Sequence, residues 1–211
     1  MSEKSLTELR RIGFQFYNEL GKKYPEEKIV YSEPWAQYRE KVLSNLIENG
    51  EETLDIGCNR GRYSAHVGDK YVGLDPAIGC LQHFRKQRIR GVAEALPFKN
   101  ESFETILLFE TLEHVWERNL VLDECKRILK IKGKLIVSAP YGHDPWQMIW
   151  EEVLGKFGVE ERKYLHGGFN EPYFKNLLKD WLIEKMQILY YTCAQVDGPI
   201  AFTILAVARK Q

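Results

Sequence analysis

The chain has 211 residues, a length that suits one domain with a sizeable core. Lys plus Arg and Asp plus Glu both total 30, so the formal net charge is +0 and no global field marks a polyanionic partner. No apolar run approaches the roughly 20 residues that a bilayer-spanning helix needs, and the four cysteines, Cys58, Cys80, Cys125 and Cys193, stand in no metal-ligand spacing and read as reduced, mostly buried thiols.

The start, Met1-Ser2-Glu3-Lys4-Ser5, lacks the basic-then-apolar order of a secretory signal, so a cytoplasmic location is expected. Leu6, Leu9, Ile12, Phe16 and Leu20 recur at helical spacing, predicting an amphipathic helix over 5–21 that either covers the site as a lid or packs on the flank. A second helix opens near Pro34, with Trp35, Tyr38, Val42, Leu43 and Leu46 as its buried stripe, and runs to Asn49-Gly50. Short apolar runs then alternate with helical segments, giving strands near 53–57, 71–74, 90–92, 105–109 and 134–139. Alternation of this kind implies an α/β fold, a parallel sheet with helices on both faces. Val121, Leu122, Cys125, Ile128 and Leu129 mark the core face of the helix before the fifth strand. Residues 141–180 are the least sheet-like and carry Tyr141, Trp146, Trp150, Phe157, Tyr164, Phe169, Tyr173 and Phe174, a candidate substrate cap or simply a subdomain with its own aromatic core. Two longer strands, Glu184 to Thr192 and Ala201 to Ala208, close the chain around a turn at Asp197-Gly198-Pro199. Basic clusters at 85–90 and around Lys126, Arg127, Lys130, Lys132 and Lys134 read as solvated helix or turn faces.

The chemistry concentrates at Asp55-Ile56-Gly57-Cys58-Asn59-Arg60-Gly61, where an apolar run stops at a glycine-containing turn, and at Asp75, about 20 residues on. An acid at the tip of the second strand can accept hydrogen bonds from both ribose hydroxyls, so a nucleotide-like cofactor is indicated. The dinucleotide fingerprint requires a third glycine that is missing here, which weakens NAD.

This turn resembles motif I of the class I S-adenosylmethionine-dependent methyltransferases. Four further blocks follow in that family's order: Ala93-Glu94-Ala95-Leu96-Pro97-Phe98, Ser102-Phe103-Glu104 with its strand, Leu112-Glu113-His114-Val115, and the helix, Lys132-Gly133 turn and strand that run to Ala139. The resemblance implies a Rossmann-like sheet of seven mostly parallel strands with an antiparallel last strand, N-terminal helices over 1–50, a cofactor-binding core over 51–140, a helical insertion over 141–180 and C-terminal strands over 181–211. It implies S-adenosylmethionine as cofactor, leaving as S-adenosylhomocysteine, held by Asp55, Gly57, Cys58, Asn59, Gly61, Asp75, Pro76, Ala93, Glu94 and Phe109. Asn59 replaces the family's usual glycine and tolerates left-handed angles. At Val92 relatives often carry an acid for the adenine amino group, a task left to Glu94 or to the backbone of Ala93 and Glu94. Cys58 is a small apolar filler in that turn.

A general base, where one is used, is His143, His166 or His114; His83 is expected at the surface. Glu110, Glu113 and His114 form an alternative metal set, with spacing that brings the three together if the segment is helical. The expected acceptor is a small, partly apolar molecule methylated on oxygen, nitrogen or carbon, with monomer and homodimer both open. RNA modification and a non-catalytic cofactor-binding scaffold are the rival readings.

Overall fold

The apolar runs become seven strands in a computed structural model that describes residues 15, 17, 18, 22, 33–142, 168–192 and 198–211. Strands β1 (Thr53–Ile56), β2 (Tyr71–Asp75), β3 (Gln87–Arg90), β4 (Phe103–Phe109), β5 (Leu129–Pro140), β6 (Leu182–Thr192) and β7 (Pro199–Arg209) form one sheet in the order β3-β2-β1-β4-β5-β7-β6. Only β7 runs antiparallel, hydrogen-bonded between β5 and β6. The chain therefore winds outward from β1 in one direction and restarts at β4 in the other, which makes the β1/β4 boundary the switch point where open sheets bind ligands.

Strand residues alternate between the two faces, and this sorts the core into two layers. Along β4, Ile106 and Leu108 join Leu54, Ile56, Leu135 and Val137 under α4 (Arg118–Ile128) and α5 (Glu171–Leu177). Leu107 and Phe109 face the other way, onto Trp35 and Leu43 of α1 (Pro34–Ser44) and onto Phe84. The expected stripe of α4, Val121, Leu122, Cys125 and Ile128 with Leu129, is fully buried. Two one-turn helices, α2 (Ser64–Val67) and α3 (Ile78–Leu81), follow β1 and β2. Among the described residues, no helix is long and apolar enough to cross a membrane.

Several boundaries differ from expectation for identifiable reasons. Helix α1 stops at Ser44, whose hydroxyl donates back to Glu40 O (2.8 Å), and the chain tightens into turns bonding Leu46 N to Leu43 O and Ile47 N to Ser44 O. Tyr38 of its expected buried stripe is exposed, its ring 6.3 Å from that of Phe202. Strand β3 lies earlier than residues 90–92, because a short edge strand carries no core-facing alternation to reveal it. The basic stretch around Arg88 and Arg90 thus lies on a sheet edge instead of a helix or turn. The turn expected at Lys132-Gly133 is a bulge inside β5, with Lys132 at φ 62° and the register against β4 shifting between Phe103 and Thr105. The second basic cluster is used internally: Arg127 pairs with Glu124 (2.7 Å), Lys130 with Glu52 (2.5 Å) and Lys134 with Glu48 (2.7 Å).

Of the aromatic-rich stretch 141–180, Phe169 and Phe174 are core residues, which corrects the cap reading for these two. Tyr141 is half-buried and Tyr173 exposed. Trp146, Trp150, Phe157 and Tyr164 lie outside the described residues, as do Cys193, His143 and His166. Of the expected first helix, the described residues Gln15, Tyr17 and Asn18 are helical, and so is Lys22, one residue past its expected end.

Candidate functional site

At the carboxyl end of β1 the chain turns through Gly57 (φ 74°), Asn59 (φ 50°) and Gly61 (φ 73°). Gly57 N and Cys58 N donate to Leu74 O of β2 at 2.8 and 3.1 Å, stitching the turn to the neighbouring strand tip. Asn59 adopts the left-handed angle that a glycine would normally supply. The space left by both glycines is filled by side chains of the protein. A Cβ at Gly57 would lie 2.3 Å from Thr111 Oγ1, and one at Gly61 2.2 Å from the Phe84 ring. Thr111 also donates to Phe109 O (2.9 Å) and sits 3.2 Å from Ile56 O, so the β1 and β4 tips are clasped at the switch point.

Two acids stand at this end of β1 and β2, Asp55 at 3% and Asp75 at 8% exposure. Asp75 Oδ2 accepts from Asn59 N (2.9 Å) and its Oδ1 from Ala77 N (2.8 Å), which fixes the carboxylate across the turn. Asp55 Oδ2 accepts from the hydroxyl of Tyr71. All three donors are neutral. Burial pushes Asp55 up to about 7, against the pull of the Tyr71 hydrogen bond and with a further push from Asp75. Burial likewise raises Asp75 to about 6, against the N–H groups of Ala77 and Asn59. Two buried acids that have no cationic hydrogen-bond partner among the described residues form a site that a positively charged ligand would complete. The remaining lone pairs of Asp75 can still accept hydroxyls.

The other expected cofactor residues surround this pair. Pro76 follows Asp75, and its carbonyl accepts from Arg90 Nε (3.2 Å). Ala93 is buried and Glu94 half-buried in the turn after β3. That turn is anchored from α4, where Glu124 accepts from Leu96 N (2.8 Å) and Arg127 donates to Leu96 O (3.0 Å) and Phe98 O (2.7 Å). Phe109 is buried edge-on against Tyr63, ring centroids 4.8 Å apart. Cys58 is buried beside Gly73, its thiol pushed up by burial, which suits a filler and opposes a nucleophile.

His114 ends the short 3-10 turn Leu112–His114 after β4. Its Nδ1 lies 2.8 Å from the hydroxyl of Tyr17, and the two rings meet edge to face at 5.0 Å. The next residue of the same segment, Asn18, accepts from Gly79 N (2.9 Å), and a Cβ at Gly79 would lie 2.1 Å from Asn18 O. Tyr17 and Asn18 thus touch the segments that follow the β4 and β2 tips. Sequence reasoning missed both contacts, since neither partner is near the other along the chain. His83 is exposed, as expected.

The alternative metal set does not converge. Glu110, at φ 46°, directs its carboxylate to Arg39 Nη1 (2.7 Å) and Ser138 Oγ (2.8 Å), whereas Glu113 is buried with its Oε1 3.6 Å from His114 Nε2. Among the described residues no three His, Cys, Asp or Glu side chains group as a metal site. Arg39 was also missed. It sits over the Trp35 ring at 5.3 Å and ties α1 to the tip of β4. Arg118 performs a similar task for the opposite side, its guanidinium 4.8 Å from the Phe169 ring and 2.9 Å from the Tyr173 hydroxyl, with Nε on Leu112 O (3.0 Å).

Residues 54–137 match the family model described as a methyltransferase domain. The chain is 31% identical over 154 residues to an uncharacterized protein of Methanocaldococcus jannaschii, covering 71% of this chain and 61% of that one. It is 33% identical over 116 residues to a demethylmenaquinone methyltransferase of Renibacterium salmoninarum, covering 50% and 48%. The chain spans about half the length of the curated relatives it matches. In fold it is similar to a S-adenosylmethionine-dependent methyltransferase of Thermotoga maritima, with TM-score 0.66, 20% identity and coverage of 96% and 100%.

Proposed function

The chain belongs to the class I S-adenosylmethionine-dependent methyltransferases, and on that premise we propose that it transfers a methyl group to oxygen, nitrogen or carbon of a small, partly apolar molecule. The observation that carries this reading is the buried pair Asp55 and Asp75 at the switch point, hydrogen-bonded by neutral donors alone among the described residues. Asp75 would take the ribose hydroxyls, and the turn at 57–61 with Pro76, Ala93, Glu94 and Phe109 would enclose the nucleoside. Asp55 would act from beneath, as negative charge near the cationic end. When bound, the cofactor supplies a sulfonium-activated methyl group, so the protein's work is alignment and exclusion of water, which can lower a barrier by roughly 7–11 kcal/mol.

His114 is our candidate base among the described residues, because it stands after β4 with Nδ1 engaged by Tyr17. His143 and His166 keep that role as alternatives. A relative named as a demethylmenaquinone methyltransferase supports an apolar ring as acceptor.

The test is a labelled-methyl assay against fractionated small metabolites and against RNA, preceded by thermal-shift measurements with S-adenosylmethionine, S-adenosylhomocysteine and NAD. A ligand at 100 times its Kd stabilises by about 2.7 kcal/mol, and Asp75→Ala should abolish the shifts from the first two. Label entering only RNA, with salt-sensitive binding, would replace the acceptor class. Binding without turnover in any fraction would favour a scaffold, and a shift with NAD alone would overturn the reading.

A further inference from the structure

Tyr71 is fully buried, and its ring packs edge-on against Phe84 with centroids 5.5 Å apart. An aliphatic side chain would fill such a site without a polar atom to satisfy, whereas a buried phenol needs a partner. The partner is Asp55 Oδ2. Register explains how they meet: Thr53 pairs with Tyr71 and Asp55 with Gly73, so Tyr71 lies diagonally from Asp55 on the adjacent strand. The residue directly opposite, Gly73, has no side chain to offer, and a Cβ there would lie 2.7 Å from Cys58 Sγ.

We propose that Tyr71 is a positioning residue of the cofactor site, its hydroxyl holding the Asp55 carboxylate in the orientation and the anionic form that receive the cationic cofactor. This rests on the function proposed above. The groups that face Asp55 are Tyr71 and Asp75 of β2 and Cys58 and Tyr63 of the turn that follows β1, with Arg39, Arg62 and Glu110 acting on Tyr63. Among the described residues, Tyr71 gives the Asp55 carboxylate its one hydrogen bond. Without it, burial and the neighbouring Asp75 act unopposed, and Asp55 keeps its proton at neutral pH. Just above pH 7, where the wild-type site is approaching two negative charges, the variant would still present close to one to the incoming ligand.

Isothermal titration of S-adenosylmethionine and S-adenosylhomocysteine from pH 6 to pH 9 tests this in wild type, Tyr71→Phe, Asp55→Asn and the double variant. Wild-type affinity should weaken as pH falls below about 7. In Tyr71→Phe the midpoint should move up by about one pH unit. The Kd for S-adenosylmethionine would then rise about five-fold at pH 7 and less than about two-fold at pH 9. S-adenosylhomocysteine, without the sulfonium charge, should respond less. Adding Tyr71→Phe to Asp55→Asn should change nothing further. A uniform loss at every pH would assign Tyr71 to packing and overturn the proposal, as would no change at all. A wild-type chain that binds neither ligand would sink the function reading itself, which is a distinguishable result. Should Tyr71→Phe not fold, carbon-13 titration of the wild-type aspartate carboxyls decides. Asp55 and the Tyr71 ring carbon must shift with one midpoint, and independent titration overturns the proposal.

Discussion

Replacing Asp55 by asparagine should stabilise the ligand-free protein at alkaline pH and, in the same step, remove its preference for the cofactor. The ordinary value of both buried acids is 3.8, and burial lifts Asp55 to about 7 and Asp75 to about 6. Between these limits the folded chain holds protons that the unfolded chain has released. Their contribution is therefore present at acid pH and lost as pH rises through the folded values. From pH 5.5 to 8.5, Asp55 alone costs about 2 kcal/mol of stability and Asp75 somewhat under about 1 kcal/mol. Glu48, Glu104 and Glu124, held down by Lys134, by the N–H of Glu52 and by Arg127, release their stabilisation only below the ordinary glutamate value of 4.5, outside this window. The assay is urea unfolding followed by circular dichroism at the two pH values. Comparing them cancels the pH-independent cost of seating an asparagine amide. Wild type should lose about 3 kcal/mol over the interval and Asp55→Asn about 1 kcal/mol. Equal losses in the two chains, or a wild type that gains stability, would refute the account of the acid pair.

Gly61→Ala should cost about 2–4 kcal/mol, because the new methyl would lie 2.2 Å from the Phe84 ring at φ 73°. Adding Phe84→Leu should recover part of that in the same denaturation experiment, and no recovery would mean that backbone strain carries the whole effect. Tyr17→Phe should lower kcat about ten-fold, as loss of one hydrogen bond worth about 1.4 kcal/mol at the transition state, with the Kd for S-adenosylmethionine within two-fold. An unchanged kcat in the labelled-methyl assay would leave the contact with His114 a structural one.

How far the fold could be read from the chain depends on whether an element's purpose is local. Strands β1, β2 and β4 are buried on both faces and declare themselves as apolar runs, and the core face of α4 repeats at helical spacing. Edge strand β3 reads Gln-Arg-Ile-Arg and has no apolar signature, so its position was displaced. Strand β5 begins directly after α4 with no glycine or proline between them, and its bulge at Lys132 read as a turn that should precede a strand.

The site divides along the same line. Gly57, Asn59, Gly61 and Asp75 are legible because a turn with left-handed angles and an acid at a strand tip are local demands on residue type. What fills the space beside those glycines is not local: Thr111 comes from the turn after β4 and Phe84 from beyond α3. In the folded chain the absent side chains at Gly57 and Gly61 leave room for Thr111 and Phe84. Tyr17, Arg39 and Tyr71 were passed over for a related reason, since each acts on a residue 97, 71 or 16 positions away. Tyr71 alone left a usable trace. A tyrosine heading a strand that is aliphatic and glycine up to its terminal Asp75, two residues before the partner of a buried aspartate, has a hydroxyl that must be satisfied inside the sheet. Once β1 and β2 are paired with Asp55 opposite Gly73, the diagonal neighbour that can accept it is Asp55.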